Sequence, residues 1–252
     1  MIKAVLFDVG GTILTVENND DLRTAFAERL SKRLEDCGIF LNTPYAELGQ
    51  LLRKNSEEYK HICEETKEEW PSLRIWKDYY LKGFDVPEDK LAPIAEELSF
   101  HYTYDREILT KRPNLNKCFD ELAAMGQRLG VISNVISTTS VPTLLKEYGI
   151  DKYMEIVLLS SETGIRKPDP GMFFIAMEKM GLKAEEIAYI GDTISRDVLG
   201  SRNAGLGLCI QITNRVVDHR DAAFRGADAP RPDYLIDDLS EIPDIIRKVN
   251  KQ

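Results

Sequence analysis

The apolar positions change their spacing twice along the 252 residues. The chain opens on I-K-A-V-L-F-D-V-G-G-T-I-L, residues 2–14, a short and partly β-branched apolar run that stops at Asp8 and turns through Gly10 and Gly11. This predicts a buried strand, a carboxylate at its end and a tight turn. The period then becomes helical. Leu22, Phe26, Leu30 and Leu34 recur every four residues and Gly38 closes the run,. Residues 45–70, ended by Pro71, then 74–84 and 88–102, the last carrying Leu91, Ile94, Ala95 and Leu98, read as three further helices,. No strand is predicted between about Val16 and Lys111. From Arg112-Pro113 onward helices at 116–125, 141–148, 170–180, 194–204 and 239–249 alternate with short apolar strands at 128–132, 155–159, 187–190, 208–212 and 234–236,. Residues 213–232 read as the one long loop,.

This order predicts an α/β protein with a doubly wound, mainly parallel sheet. Residues 1–15 and 112–252 form the core domain, and residues 16–111 form a separate all-helical domain,. An insertion directly after the first strand lies over the carboxyl edge of the sheet, where it can cover Asp8 and exclude water.

Composition narrows the function. Hydrophobic residues at 43% and charged residues at 30% fit a globular chain, and no apolar run reaches the roughly 18 residues of a membrane span, so no membrane partner is expected,. A net charge of -9 without a basic stripe argues against nucleic acid,. Cys37, Cys63, Cys118 and Cys209 are far apart with no C-x-x-C pair, which predicts reduced, buried thiols,. With Met1 leading straight into a strand, the expected location is the cytoplasm,. Glu57, Glu58, Glu64, Glu65, Glu68 and Glu69, mixed with Lys54, Lys60 and Lys67, read as a solvated helical face,. His61, His101 and His219 are too scattered for a triad, and P-loop, zincin and nucleophile-elbow motifs are absent,.

Polar residues of chemical use sit at four predicted strand ends: Asp8, Ser133-Asn134, Lys167, and Asp192 followed by Asp197. In a parallel sheet these converge on one crevice. Asp8, Asp192 and a backbone carbonyl of the turn make a hard oxygen site suited to Mg²⁺. Lys167 supplies a fixed positive charge. The Ser133 hydroxyl and the turn N–H groups at Gly11 and Thr12 can hold phosphate oxygens. Asp8 is the candidate nucleophile, forming an aspartyl-phosphate that water opens.

D-V-G-G-T, V-I-S-N, R-K-P-D-P-G-M-F and I-G-D-T-I-S-R-D resemble, in order and spacing, the four motifs of the haloacid-dehalogenase-like hydrolase superfamily, and the insertion resembles its helical cap. The resemblance implies a Rossmann-like core. It implies a Mg²⁺-dependent phosphohydrolase acting on a small phosphorylated metabolite. It makes Asp8 the nucleophile, assigns phosphate binding to Ser133 and Lys167, and assigns Mg²⁺ to Asp8, Asp192 and the Gly10 carbonyl, with Asp197 in support behind the metal. Asn134, beside Ser133, joins the expected phosphate site.

One departure stands out. The family's phosphatases carry a second Asp two residues after the nucleophile, as acid for the leaving alcohol and base for water, and this chain has Gly10 there. Glu17 or a lid side chain is a candidate substitute; without one, the enzyme is slow on unactivated alkyl phosphates. Other readings are a phosphonate-cleaving enzyme using a lid lysine, for which Lys54 is the candidate, a dehalogenase, and a module that binds phosphate esters or proteins without turnover. The G-D-T of the fourth motif, where dehalogenases resemble S-S-N, favours metal and phosphate.

Overall fold

The computed structural model describes residues 1–224, 226 and 228–251. Its strands are β1 (Ala4–Phe7), β2 (Leu14–Glu17), β3 (Ile108–Lys111), β4 (Arg128–Ser133), β5 (Met154–Leu159), β6 (Ile187–Gly191), β7 (Leu208–Ile212) and β8 (Tyr234–Ile236). Six of them form one parallel sheet in the order β5-β4-β1-β6-β7-β8, the doubly wound arrangement predicted. Each of these strands coincides with a predicted apolar run, because helices cover both faces and every residue of β1 and β6 is buried,. The chain leaves β1 toward β4 and β5 on one side and toward β6, β7 and β8 on the other. A crevice therefore opens at the carboxyl end of β1,.

The register sets what faces that crevice. Phe7 pairs with Val131 on β4 and with Ile190 on β6, so Asp8 lies one residue beyond the paired level and Ser133 and Asp192 lie two beyond it.

Between β2 and β3 the chain is helical. The stripe of Phe26, Leu30 and Leu34 packs with Trp76, Tyr80 and Leu98 into an apolar cluster distinct from the two clusters that flank the sheet. Two separate cores support the division into residues 1–15 plus 112–252 and a cap of residues 16–111, which we propose on that ground.

Four expectations need correction. Strands do occur between Val16 and Lys111: β2 and β3 pair antiparallel, Leu14 opposite Lys111 and Glu17 opposite Ile108, across both proposed junctions. Each has four largely unburied residues, too few for alternation to register in the sequence. The helix expected over 45–70 stops at Thr66, because Lys67 turns left-handed (φ 62°) and residues 67–69 leave to pair with 164–166. The helices expected over 74–84 and 88–102 are broken, the first into Ser72–Ile75 and a π-turn at Trp76–Tyr80, the second by a 3-10 turn at Ala92–Ile94 where Pro93 lacks an N–H,. The expected loop 213–232 contains a 3-10 segment, Arg215–Phe224, whose Asp221 carboxylate accepts from the N–H groups of Ile194 (2.8 Å) and Ser195 (2.9 Å); residues 225 and 227 lie outside the described residues.

All four cysteines are free, three of them buried. Among the described residues no helix is long and apolar enough to cross a membrane.

Candidate active site

Asp8 and Asp192 follow the neighbouring strands β1 and β6, Asp197 lies in the helical turn Ile194–Val198 after β6, and each offers a carboxylate oxygen within 4.8 Å of the others. All three are buried. Lys167 reaches the same point from the loop after β5. Its ammonium donates to Asp8 Oδ1 (2.7 Å), Asp197 Oδ1 (2.7 Å), the Tyr189 hydroxyl (2.6 Å) and the Ile132 carbonyl (3.0 Å).

The charges respond to this packing. Burial pushes the Asp8 carboxyl above its usual range even against Lys167. Burial, then Asp197 and Asp8, push Asp192 up to about 7. Asp197 is also buried, but Lys167 and Arg196 hold it down at about 2. Burial works against the Lys167 ammonium, and Asp197 and Asp8 outweigh it and raise its pKa. Asp197 is thus the carboxylate already balanced. Its Oδ2 takes the Thr193 N–H (3.0 Å) and hydroxyl (2.6 Å), and its Oδ1 takes Lys167 and Tyr189 (3.1 Å). Among the described residues the Asp192 carboxylate accepts from the Asn214 amide alone, at 2.7 Å on Oδ2.

The remaining predicted residues divide. Ser133 ends β4 and lines the cavity over Asp8, its hydroxyl without a hydrogen-bond partner among the described residues. Asn134 also lines the cavity, and its amide clamps the Lys167 backbone, accepting from the N–H (2.9 Å) and donating to the carbonyl (2.9 Å). Thr12 is fully buried and its hydroxyl donates to Asp8 Oδ2 at 3.3 Å. The N–H groups of Gly11 and Thr12 are spent inside the turn, on the carbonyls of Leu14 (2.8 Å) and Val9 (3.2 Å). Gly10 lines the cavity, with nothing within 4 Å of the place a Cβ would take. Glu17 and Lys54 are exposed and neither lines the cavity.

Gly11 has a steric reason to be glycine. Its φ is +91°, and a Cβ there would stand 2.0 Å from Asp192 Oδ2. Gly11→Ala is expected to displace Asp192 and to destabilise the chain by about 1–3 kcal/mol. A denaturant melt reads the second effect, and a Mg²⁺ titration followed by calorimetry reads the first as weakened binding.

Several residues that build the site gave little signal. Tyr189 sits inside an otherwise apolar strand, where a buried phenol needs a partner for its hydroxyl, and that need was the available clue,. Asn214 follows β7 as Asp192 follows β6, so the strand-end rule that found the others applies to it too. Arg112 donates to the carbonyls of Gly11 (2.6 Å) and Thr213 (2.9 Å) and ties the turn to the end of β7. A buried network joins cap to core next to Lys167: Glu69 accepts from Tyr59, Arg166 and the Ser160 hydroxyl (2.7 Å). Glu69 had been expected on a solvated face, and it is 5% exposed because residues 67–69 have left the helix.

A cavity of about 470 Å³ lies over the carboxylates, lined by core and cap residues alike. A doubly wound sheet with buried carboxylates and a lysine gathered at its carboxyl edge beneath a cavity is the arrangement of a hydrolase,. The chain belongs to the haloacid dehalogenase-like hydrolase family, whose model matches residues 2–205. It is 29% identical to the glyceraldehyde 3-phosphate phosphatase of Methanopyrus kandleri over the full length of both chains. It is 28% identical to the ribulose-1,5-bisphosphate 5-phosphatase of Halopiger xanaduensis over 98% of this chain and all of that one. Among solved structures, a HAD phosphatase from Thermococcus onnurineus shares the fold with a TM-score of 0.60 at 23% identity, covering 97% of this chain and 98% of that chain. The L-2-haloacid dehalogenase from Xanthobacter autotrophicus shares it equally, with a TM-score of 0.60 at 18% identity over 98% and 99%.

Proposed function

We propose that this hydrolase is a Mg²⁺-dependent phosphatase that cleaves a small phosphorylated metabolite through an aspartyl-phosphate on Asp8. The observation that carries the reading is the convergence of Asp8, Asp192 and Asp197 around Lys167 beneath one cavity. The phosphatase names of relatives matched over the whole chain support it.

The donor set fits a hard divalent cation. Three carboxylates crowd one buried point, and the Asp192 carboxyl, raised to about 7 by burial and its acidic neighbours, makes no salt bridge among the described residues,. Asp8, Asp192 and the Gly10 carbonyl would hold the ion. Asp197, its oxygens filled by protein donors, would stand behind them. When bound, Mg²⁺ neutralises the repulsion between carboxylate and phosphate.

The chain's own residues do the rest. Lys167 fixes Asp8 and offsets charge as the phosphoryl group arrives, and the Ser133 hydroxyl donates to a phosphate oxygen,. An Asp8 oxygen forms the new bond to phosphorus as the ester oxygen leaves with the bonding pair and takes a proton. Water then attacks the acyl phosphate, releasing inorganic phosphate and restoring Asp8. Besides the acidic cluster, the carboxylates lining the cavity among the described residues are Glu64 and Glu107, and Glu107 is engaged by Arg106 and Asn18. Gly10 itself offers no carboxyl to protonate the leaving oxygen.

Hydrolysis of p-nitrophenyl phosphate that disappears with EDTA and returns with Mg²⁺ is the expected result; activity indifferent to chelation refutes the metal. The sign of the pH dependence follows from Asp192. Below about pH 7 its proton must be displaced, so apparent Mg²⁺ affinity should fall by up to about tenfold per pH unit on acidification and level off above that pH,. Calorimetric titration between pH 5.5 and pH 8 checks it, and a flat profile contradicts it.

A further inference from the structure

Two cavity-lining side chains are left unused by that chemistry. Arg166 is 9% exposed and Tyr80 2%. The Arg166 guanidinium gives one nitrogen to Glu69, and its other two have no hydrogen-bond partner among the described residues. The Tyr80 hydroxyl likewise has none. Neither group is sealed in the interior, so these donors open onto the cavity. Both are held in place beforehand. Arg166 is fixed through Glu69 to Tyr59 and Ser160, and the Tyr80 ring packs against Trp76 (5.1 Å between centroids) and Tyr102 (4.6 Å).

The charge balance decides what they would receive. The buried Glu69 carboxylate already answers Arg166, so a second anion placed there would also meet Glu69. A neutral oxygen would not. Arg166 can only donate, whereas a phenol donates or accepts, and that combination suits a hydroxyl or carbonyl oxygen.

We propose that Arg166 and Tyr80 form a subsite for neutral oxygens on the carbon chain of the substrate. The enzyme would then select short hydroxylated or carbonyl-bearing phosphates over phosphates of plain alkyl alcohols. The inference rests on the phosphatase reading of the same cavity and specifies the part of the substrate that reading leaves open. An alkyl chain would strand buried donors without partners, which is how a site rejects an analogue of equal size.

The test compares glycerol 3-phosphate with propyl phosphate, which differ by two hydroxyls. Binding to the full-length Asp8→Asn protein with Mg²⁺ is measured by calorimetry, so no turnover is required. Glycerol 3-phosphate is expected to bind at least about tenfold more tightly. Tyr80→Phe, which keeps the ring, and Arg166→Lys, which keeps a cation beside Glu69, should each shrink that ratio by at least about threefold. Should Arg166→Lys fail to fold, Tyr80→Phe decides. Equal binding of the two ligands, or a ratio that neither folded variant moves, overturns the inference. Turnover of p-nitrophenyl phosphate, whose leaving group has no such oxygens, judges the phosphatase reading separately.

Discussion

Asp8→Asn is expected to reduce kcat for every phosphate ester by a factor on the order of 10⁴ or more, the scale seen when a covalent nucleophile is removed. The amide cannot form the acyl phosphate, yet it is nearly isosteric and can still meet Lys167 and Thr12, which contact Asp8 now. Loss of activity should therefore come without loss of fold, and a near-wild-type melting curve beside abolished turnover is the paired result. Brief incubation with a ³²P-labelled substrate followed by acid quench should leave label on the wild-type chain and none on the variant. Substantial multiple turnover by Asp8→Asn would remove Asp8 from the reaction and the covalent route with it.

Gly10→Asp should act in the opposite direction. A Cβ at this position meets nothing within 4 Å, and the backbone there needs no positive φ, so a side chain can be added without displacing a neighbour. The new carboxyl would enter the cavity beside the Asp8 turn and could protonate a leaving alkoxide. General acid help is worth about 10² to 10⁴ in rate. A gain of about 10² in kcat is expected for an alkyl phosphate, against a few-fold at most for p-nitrophenyl phosphate, whose leaving group needs little protonation. Equal gains on the two substrates would mean that proton supply was not what Gly10 costs the enzyme.

The sheet was legible because its strands are buried on both faces, so each shows as an unbroken apolar run such as A-V-L-F or I-A-Y-I-G. The strand ends were legible for the same reason: a polar residue following such a run has only the crevice to face. Residues whose role depends on a partner distant in sequence were not. Asn134 reads as a strand-end donor, and only its 2.9 Å contacts with the Lys167 backbone show that its amide is occupied. Glu69 reads as one more solvated acid in a run of them. What buries it is the pairing of residues 67–69 with 164–166, and neither segment carries a strand pattern. The β2 and β3 ribbon was lost because four half-exposed residues hold too few alternations to be told from a loop.

The pairing of 67–69 with 164–166 has a mechanical consequence. Arg166 and Glu69 form a buried ion pair across that line, and replacing either one alone would leave the other charge uncompensated in the interior, a cost of about 3–5 kcal/mol,. The seam therefore moors the segment 67–69 to the stretch of chain that leads directly into Lys167.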